Sequence, residues 1–239
     1  MPAVQWFFQV NHQKGEEADG AGWDWSKGAP DIRSLLPARA PRSTAKSRHI
    51  PVRAFCATTG THLGLESGFE HDLLRVVDRD PQVAWVVAQP LLLVFPQGDD
   101  HIPDFLTVTA DGAVTVWDAR PKERVDDKTH AKALRTGAAC REVGWQYELW
   151  TGLAREAQLS HIWLARGRRR PAWAHQYIPT LAAASQRPGA TIGDLRALDS
   201  GRGELVSTMW HLLWTGQIVV DPAVQIQDHT VVSWRGDAA

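Results

Sequence analysis

The sequence has few cysteines and no long apolar segment, and each shortage excludes a class of protein. Two cysteines, Cys56 and Cys140, among 239 residues cannot build a disulfide framework and are typical of a reducing cytosol. The longest apolar stretch, residues 83–95, is interrupted by Gln89 and Pro90, so we predict no membrane span. The N-terminal segment has no basic start and no small-residue cleavage site. We therefore expect no signal peptide and a cytoplasmic protein.

Several enzyme motifs are also missing from the sequence. It contains neither a GxxxxGK[ST] nor a GxGxxG pattern, which argues against a P-loop and a simple dinucleotide site. No GxSxG element occurs, so the nucleophile turn of an α/β-hydrolase is not predicted. The ten histidines never fall at metal-ligand spacing, and no CxxC is present, which argues against a zinc site.

The formal net charge of −1 hides alternating blocks of charge. Residues 64–127 hold 13 acidic and 5 basic side chains, whereas residues 33–53 hold six basic and no acidic ones. Residues 128–170 hold nine basic and three acidic side chains. This last block ends in a run of arginines, Arg168, Arg169 and Arg170. The blocks are either solvated faces with a charged linker, or an acidic metal site flanked by segments that contact DNA phosphates.

Hydrophobic periodicity predicts an α/β chain whose first 50 residues are an irregular extension with one strand, at residues 4–10. A domain over residues 51–168 follows, and it begins with a helix at 65–79. Its predicted strands cover residues 83–88, 91–95, 104–109, 114–119, 144–150 and 161–164. Ala110-Asp111-Gly112 predicts a hairpin turn. A second helix at 128–142 would turn Ala131, Leu134 and Ala138 inward.

A second domain is predicted over residues 171–235. The charged, proline-ended run at 166–171 marks its start. Its elements are helices at 173–186, 191–199 (capped by Thr191) and 203–215, then strands at 217–220 and 230–234. This order is typical of a winged helix-turn-helix. The third helix has no Lys or Arg for base edges, so we expect it to dock a protein rather than recognise DNA sequence.

Three carboxylates stand out in the acidic block. Glu70 lies on the first predicted helix, Asp104 follows Pro103 at the start of a strand, and Asp118 lies near the end of the next strand. Neighbouring antiparallel strands bring Asp104 and Asp118 side by side. Carboxylates that close repel each other unless a cation separates them, and hard oxygen ligands suit Mg²⁺. Taken singly, each aspartate is more often a turn or cap residue, and Glu70 a solvated helix residue.

A helix Glu, a Pro-Asp entering a hairpin and an Asp-x-basic on the returning strand resemble the PD-(D/E)xK nucleases. The surrounding residues, over about positions 50–150, more narrowly resemble the TnsA-like endonuclease subunits of heteromeric transposases. In chain order the matching segments are Glu66-Ser67 with Glu70, Asp80-Pro81, Gln89-Pro90, His101-Ile102-Pro103-Asp104-Phe105, Trp117-Asp118-Ala119-Arg120-Pro121 and Gly144-Trp145-Gln146-Tyr147. Leu212–Gly216 and Asp228–Val231 are similar to that family's second domain.

The resemblance implies a restriction-endonuclease-like mixed sheet flanked by helices, followed by a small winged-helix domain. It implies a DNA endonuclease that hydrolyses phosphodiester bonds at the 5′ ends of a mobile element, with Mg²⁺ or substituting Mn²⁺ as cofactor. The implied metal ligands are Glu70, Asp104, Asp118 and the carbonyl of Ala119. The implied partners are double-stranded DNA, a DDE-type transposase subunit, and an ATPase regulator that docks on the C-terminal domain. Arg168, Arg169 and Arg170 are further predicted to contact the DNA backbone.

Position 120 departs from the family pattern, because Arg120 stands where the family has lysine. Arginine can stabilise a phosphorane but is effectively never deprotonated. Lys122, or Lys132 on the following helix, could supply the ammonium instead. Two other hypotheses stay open: a catalytically weakened or inactive assembly subunit that keeps the nuclease fold, and a stand-alone restriction-type nuclease.

Overall fold

The computed structural model describes residues 4–10, 22–39, 51–96, 98, 100–221 and 223–236, which form a mixed α/β protein. This confirms the predicted α/β class. The described residues divide into two compact units. The first unit belongs to Met1–Asp78 and Gln82–Gly152, and the second to Arg79–Pro81 and Leu153–Ala239. The predicted irregular segment at 11–48 lies partly outside the described residues. None of the helices in the described ranges is both long and apolar enough to cross a membrane.

The first unit is built from short strands and two longer helices among its described residues. The helices are α1 (Gly68–Val77) and α2 (Asp127–Glu142). The strands are β1 (Gln5–Phe7), β2 (Gln9–Val10), β3 (Leu35–Leu36), β4 (Val52–Cys56), β5 (Thr61–Leu65), β6 (Val83–Ala88), β7 (Leu92–Val94), β8 (Phe105–Thr109), β9 (Val114–Ala119) and β10 (Gln146–Trp150). The hairpin of β4 and β5 was not predicted, because Thr58 to Thr61 lack the usual Asn-Gly or Asp-Gly turn signal.

A mixed sheet in the order β10-β9-β8-β6 forms the centre of this unit. Strands β8 and β9 make the predicted hairpin, with Phe105 opposite Trp117. Gly112 closes its turn at φ 89°, a left-handed conformation that glycine adopts without a steric penalty. Strand β10 then lies parallel to β9, with Tyr147 beside Val116. Such a parallel neighbour needs a crossover, which α2 provides.

Each face of the sheet is covered by a different helix. Phe105 packs with Leu73 and Leu74 of α1. The next residue, Leu106, points to the other face and packs with Cys140 of α2 and with Trp6 from β1. Alternation along the strand produces these two cores. Both cysteines are fully buried and free, as expected for small apolar side chains.

The second unit is helical apart from one two-stranded ribbon in its described part. Its elements are α3 (Arg155–Leu164), α4 (Ala174–Ser185), α5 (Ile192–Arg196), α6 (Glu204–Trp214), β11 (Ile218–Val219) and β12 (Ser233–Trp234). The predicted cap of α5 is confirmed, since the Thr191 side chain accepts a hydrogen bond from the Asp194 amide within a capping box. Helix α6 lies in the core, with Leu205, Met209 and Leu212 buried.

Two sequence predictions about helices were wrong. Residues 161–164 form the end of α3 rather than a strand, because a short apolar run does not distinguish strand from helix. Trp163 is therefore 38 % exposed and stacks on Trp210 instead of filling a sheet core. In α2, Leu134 is 72 % exposed, and the buried positions are Thr136, Ala139 and Cys140. Helix α2 is rich in small and polar residues, so the spacing of its few apolar residues did not identify the buried face.

The division between the units falls at Gly152 and Leu153, before the arginine run that marked the predicted boundary. Residues 153–168 belong to the second unit because Leu164 and Ala165 join its core. Gly167 then lies against α6: its carbonyl accepts a hydrogen bond from His211 Nδ1 at 2.9 Å. A Cβ on Gly167 would lie 1.9 Å from the Trp210 carbonyl oxygen, so no larger residue fits there.

Candidate active site

A cavity of about 550 Å³ in the first unit is lined by the three carboxylates that the sequence singled out, Glu70, Asp104 and Asp118, and by Ala119. Its other charged lining is mainly basic. These basic residues are Arg39, Arg120, Arg124, Lys128 and Lys132. Acidic and basic side chains that sat in separate blocks of the sequence therefore meet around one cavity.

The β8–β9 hairpin brings Asp104 and Asp118 to the same end of the sheet. Asp104 immediately precedes β8, and its amide donates to the Trp117 carbonyl at 3.0 Å. Its side-chain Oδ2 accepts a hydrogen bond from the Ala119 amide at 2.7 Å. This bond ties Asp104 to the residue that follows Asp118 on β9. The predicted juxtaposition of the two aspartates is the geometry that this register produces.

Burial and the neighbouring negative charges make the ionised form of Asp104 unfavourable. Burial raises the pKa of Asp104 well above its usual range, and the negative charges of Asp118 and then Glu70 raise it further. The hydrogen bond from the Ala119 amide lowers this pKa but does not cancel the increase. Carboxylates held this way favour uptake of a proton or a cation, either of which removes the repulsion.

Glu70 is bound largely by the start of its own helix. Ser67, the N-cap of α1, donates its hydroxyl to Glu70 Oε1 at 2.8 Å, and the Glu66 amide donates to Oε2 at 2.8 Å. These bonds lower the pKa of Glu70, but burial of the side chain outweighs them and the net shift is upward. Glu70 is 6 % exposed. It therefore serves as a helix cap as well as a wall of the cavity.

Asp118 has two supporting donors that sequence reasoning missed. His101 Nε2 and the Tyr147 hydroxyl each lie 2.7 Å from Asp118 Oδ2. Asp118 is 9 % exposed and His101 7 %. Burial and the charge of Asp118 raise the pKa of Tyr147, so its phenol is a neutral donor. Tyr147 reaches the site through the parallel pairing of β10 with β9, for which no local sequence signal exists.

The donor set fits a hard divalent cation in its chemistry. Asp104 and Asp118 each have one oxygen, Oδ1, that accepts no hydrogen bond from the described residues, and Ala119 lines the same cavity. Among the described residues no group of three or more His, Cys, Asp or Glu side chains is arranged as a metal cluster. Mg²⁺ is commonly bound by one or two carboxylates with waters and phosphate oxygens. The aspartate pair meets that smaller requirement.

The basic candidates differ in where they lie. Arg120 is exposed and lines the cavity, and its Nε donates to the Arg124 carbonyl at 3.1 Å. Lys122 is exposed on the 3-10 turn Lys122–Arg124 and does not line the cavity. Lys132 does line it. Lys128, one helical turn earlier, also lines the cavity, and the sequence had not indicated this residue. The lysines that could act here therefore come from α2.

The predicted DNA-backbone arginines lie in the second unit. Arg168 is half-buried, and Arg169 and Arg170 are exposed. Because Gly167 is packed against α6, this run begins from a fixed point of the fold instead of an open linker. Its charge is therefore presented by the second unit.

Comparison with known proteins does not identify a family for this chain. No protein-family profile matches the chain, and no curated protein matches it at a significant level. Any assignment of function therefore depends on the chemistry of the cavity.

Proposed function

We propose that the protein is a metal-dependent DNA endonuclease, the TnsA-like subunit of a heteromeric transposase, which hydrolyses phosphodiester bonds at the 5′ ends of a mobile element. The observation that carries the proposal is the pair of repelling aspartates, Asp104 and Asp118, in a cavity edged by Arg and Lys. The carboxylates bind a cation, and the basic side chains attract the phosphate that accompanies it. A phosphodiester complements the basic side chains of the cavity, and its divalent cation complements the carboxylates.

Each residue has a defined task in this proposal. Asp104 and Asp118, with the Ala119 carbonyl, hold the Mg²⁺ or Mn²⁺ ion, and Glu70 adds negative charge behind them. The cation, when bound, lowers the pKa of a water and offsets charge on the scissile phosphate. Arg120 and Lys132 neutralise the negative charge that builds up on the phosphate oxygens. Proton transfer to the leaving oxygen falls to solvent or to an α2 lysine, because Arg120 holds its proton too tightly.

The fold supports the same proposal. A mixed four-stranded sheet with a helix on each face, carrying its carboxylates at one end of a hairpin, is compatible with a restriction-endonuclease-like domain. Three helices followed by a two-stranded ribbon, α4 to β12, are compatible with a winged helix. Every residue of α6 is buried or half-buried, and the helix has no Lys or Arg, which disfavours base recognition by this helix. The proposed partners are the transposase subunit and its ATPase regulator.

The test is Mg²⁺-dependent cleavage of a duplex that carries an element end, with the transposase subunit present. Asp104→Ala and Asp118→Ala should each lower the cleavage rate at least about 100-fold. Asp111→Ala is the matched control, because Asp111 is an exposed aspartate in the turn of the same hairpin. Cleavage at the wild-type rate by both cavity variants would refute the assignment of the site.

An inactive assembly subunit is the second candidate, and position 120 is the observation that favours it. Arg120 cannot act as a base, and its Nε is engaged in a hydrogen bond to the Arg124 carbonyl. Under this hypothesis the wild-type chain binds DNA or partners without cutting, and Arg120→Lys gains cleavage. Under the leading proposal the wild-type chain already cuts. A stand-alone nuclease would cut without any partner, which the same assay shows.

A further inference from the structure

We propose that His101 and Tyr147 are positioning residues that restrict Asp118 to binding metal through one oxygen, and that this restriction selects Mg²⁺ or Mn²⁺ over Ca²⁺. The inference deepens the proposed function and rests on it. Both donors bond the same atom, Asp118 Oδ2, at 2.7 Å. A carboxylate oxygen that accepts two short hydrogen bonds is poorly placed to bind a cation as well, so Oδ1 is left for that role.

The two donors are fixed independently of each other. His101 is buried, and its backbone exchanges both hydrogen bonds with Leu93, at 2.7 and 2.8 Å. Tyr147 is set by β10, which runs parallel to β9 over its whole length. Asp118 is therefore bonded from two elements beyond its own strand. Rotation of its carboxylate would break one or both bonds in a buried place and leave a buried polar group without a partner, which is unfavourable.

Asp104 is restricted in the same way. Its Oδ2 accepts the Ala119 amide at 2.7 Å, so it too offers Oδ1 to the cavity. Two carboxylates that each provide a single oxygen suit the six-ligand octahedral shell of Mg²⁺. Ca²⁺ takes six to eight oxygens and commonly uses both oxygens of a carboxylate. The hydrogen bonds to the two Oδ2 atoms therefore disfavour the larger ion.

The experiment measures binding rather than cleavage. The full chain is mixed with duplex DNA and titrated with Mn²⁺, whose free concentration is followed by electron paramagnetic resonance, and bound Mn²⁺ is then displaced with Ca²⁺. We expect His101→Ala and Tyr147→Phe to lower Mn²⁺ affinity about 10-fold or more, as loss of a partner to a metal ligand generally does. The affinity of these two variants for Ca²⁺ should stay the same or increase. His101→Gln should restore most of the preference, because its amide can donate to Oδ2.

Asp78→Asn is the control for general destabilisation. Asp78 is a buried carboxylate that accepts bonds from the Ala57 and Thr58 amides, away from the cavity. It should lower thermal stability without changing the ratio of Mn²⁺ to Ca²⁺ affinity. If His101→Ala does not fold, Tyr147→Phe carries the test, because it removes a single hydroxyl.

The outcomes separate the inference from the function on which it rests. A wild-type ratio of affinities in folded Tyr147→Phe and His101→Ala would overturn the positioning role alone. The chain with unaltered His101 and Tyr147 must bind Mn²⁺, and that binding must depend on Asp104 and Asp118. If it does not, the metal site is refuted, and both proposals with it. A lower ratio in both variants with recovery in His101→Gln would support the inference.

Discussion

At the scale of single residues, Asp104 illustrates a conflict between function and stability. Its carboxylate lies among like charges, and burial raises its pKa, so the ionised form is less stable in the folded chain than in water. A cation that offsets this charge would bind more tightly for the same reason. In the proposed metal site, this unfavourable buried charge would be the source of affinity for a cation.

Asp104→Asn should therefore stabilise the metal-free chain while abolishing cleavage. The amide keeps an oxygen acceptor for the Ala119 amide but removes the repelled charge. In EDTA at neutral pH we expect the Tm to rise by roughly 2–4 °C, the shift that about 1 kcal/mol produces in a chain of this size. Differential scanning calorimetry measures it. A lower Tm would contradict the proposed repulsion.

The matched control for this change is Asp111→Asn. Asp111 is exposed, and its hydrogen bond from Thr109 lowers its pKa, so its ionised form is favoured in the folded chain. Removing that charge should leave the Tm unchanged or slightly lower. Changes in Tm of opposite sign for Asp104→Asn and Asp111→Asn would show that the increase comes from the charge in the cavity. A general effect of replacing an aspartate by an amide would act in the same direction at both positions.

At the scale of elements, local patterns predicted what local contacts determine. The β8–β9 hairpin followed from alternation and an Asp-Gly turn, and helix α1 from its apolar spacing. Helix α3 and the buried face of α2 were mispredicted, because their short or weakly apolar runs fit more than one periodicity. Only packing against the rest of each unit decides between those alternatives.

Packing of the 3-10 turn Ala165–Gly167, which follows α3, against α6 depends on one glycine. Gly167→Ala should destabilise the second unit by about 3 kcal/mol, since the new Cβ would clash with backbone of Trp210 that cannot rotate away. Gly68→Ala, at the first position of α1, meets no atom within 4 Å and should stabilise the first unit by about 0.5–1 kcal/mol. Denaturant titration followed by tryptophan fluorescence measures both. Equal effects of the two changes would exclude this account of Gly167.

At the scale of the whole molecule, the pairing that brings each residue to the cavity decided whether the sequence could predict it. Asp104 and Asp118 lie on one hairpin, so sequence alone could pair them. His101 joins them through a bridge to Leu93, and Tyr147 through a parallel crossover strand. Pairing of that kind follows from the topology of the complete sheet. The resemblance to a nuclease family supplied candidate ligands and included His101 and Tyr147 in its matching segments, but it assigned no role to either residue.

The stability of the second unit should depend on pH through His211. Burial lowers the pKa of His211, so the unfolded chain binds a proton more tightly than the folded one. Stability is therefore highest above the unfolded pKa of about 6.5 and falls as the pH drops below it. Denaturant midpoints between pH 7.5 and about 5 should fall more for the wild type than for His211→Gln, whose side chain stays neutral. Parallel curves for the two proteins would contradict this role.

Every residue that lines the carboxylate cavity precedes Thr151 in the chain, and the second unit draws almost entirely on residues after Gly152. During synthesis the ribosome therefore adds the residues of the cavity before most of the second unit, and domains generally fold as units in the order of synthesis. Under the proposed function, a nascent chain that folds its first unit at that stage would meet cellular cations before its second unit is available to a partner. Metal loading would then precede partner recruitment because of the order of the two units along the chain.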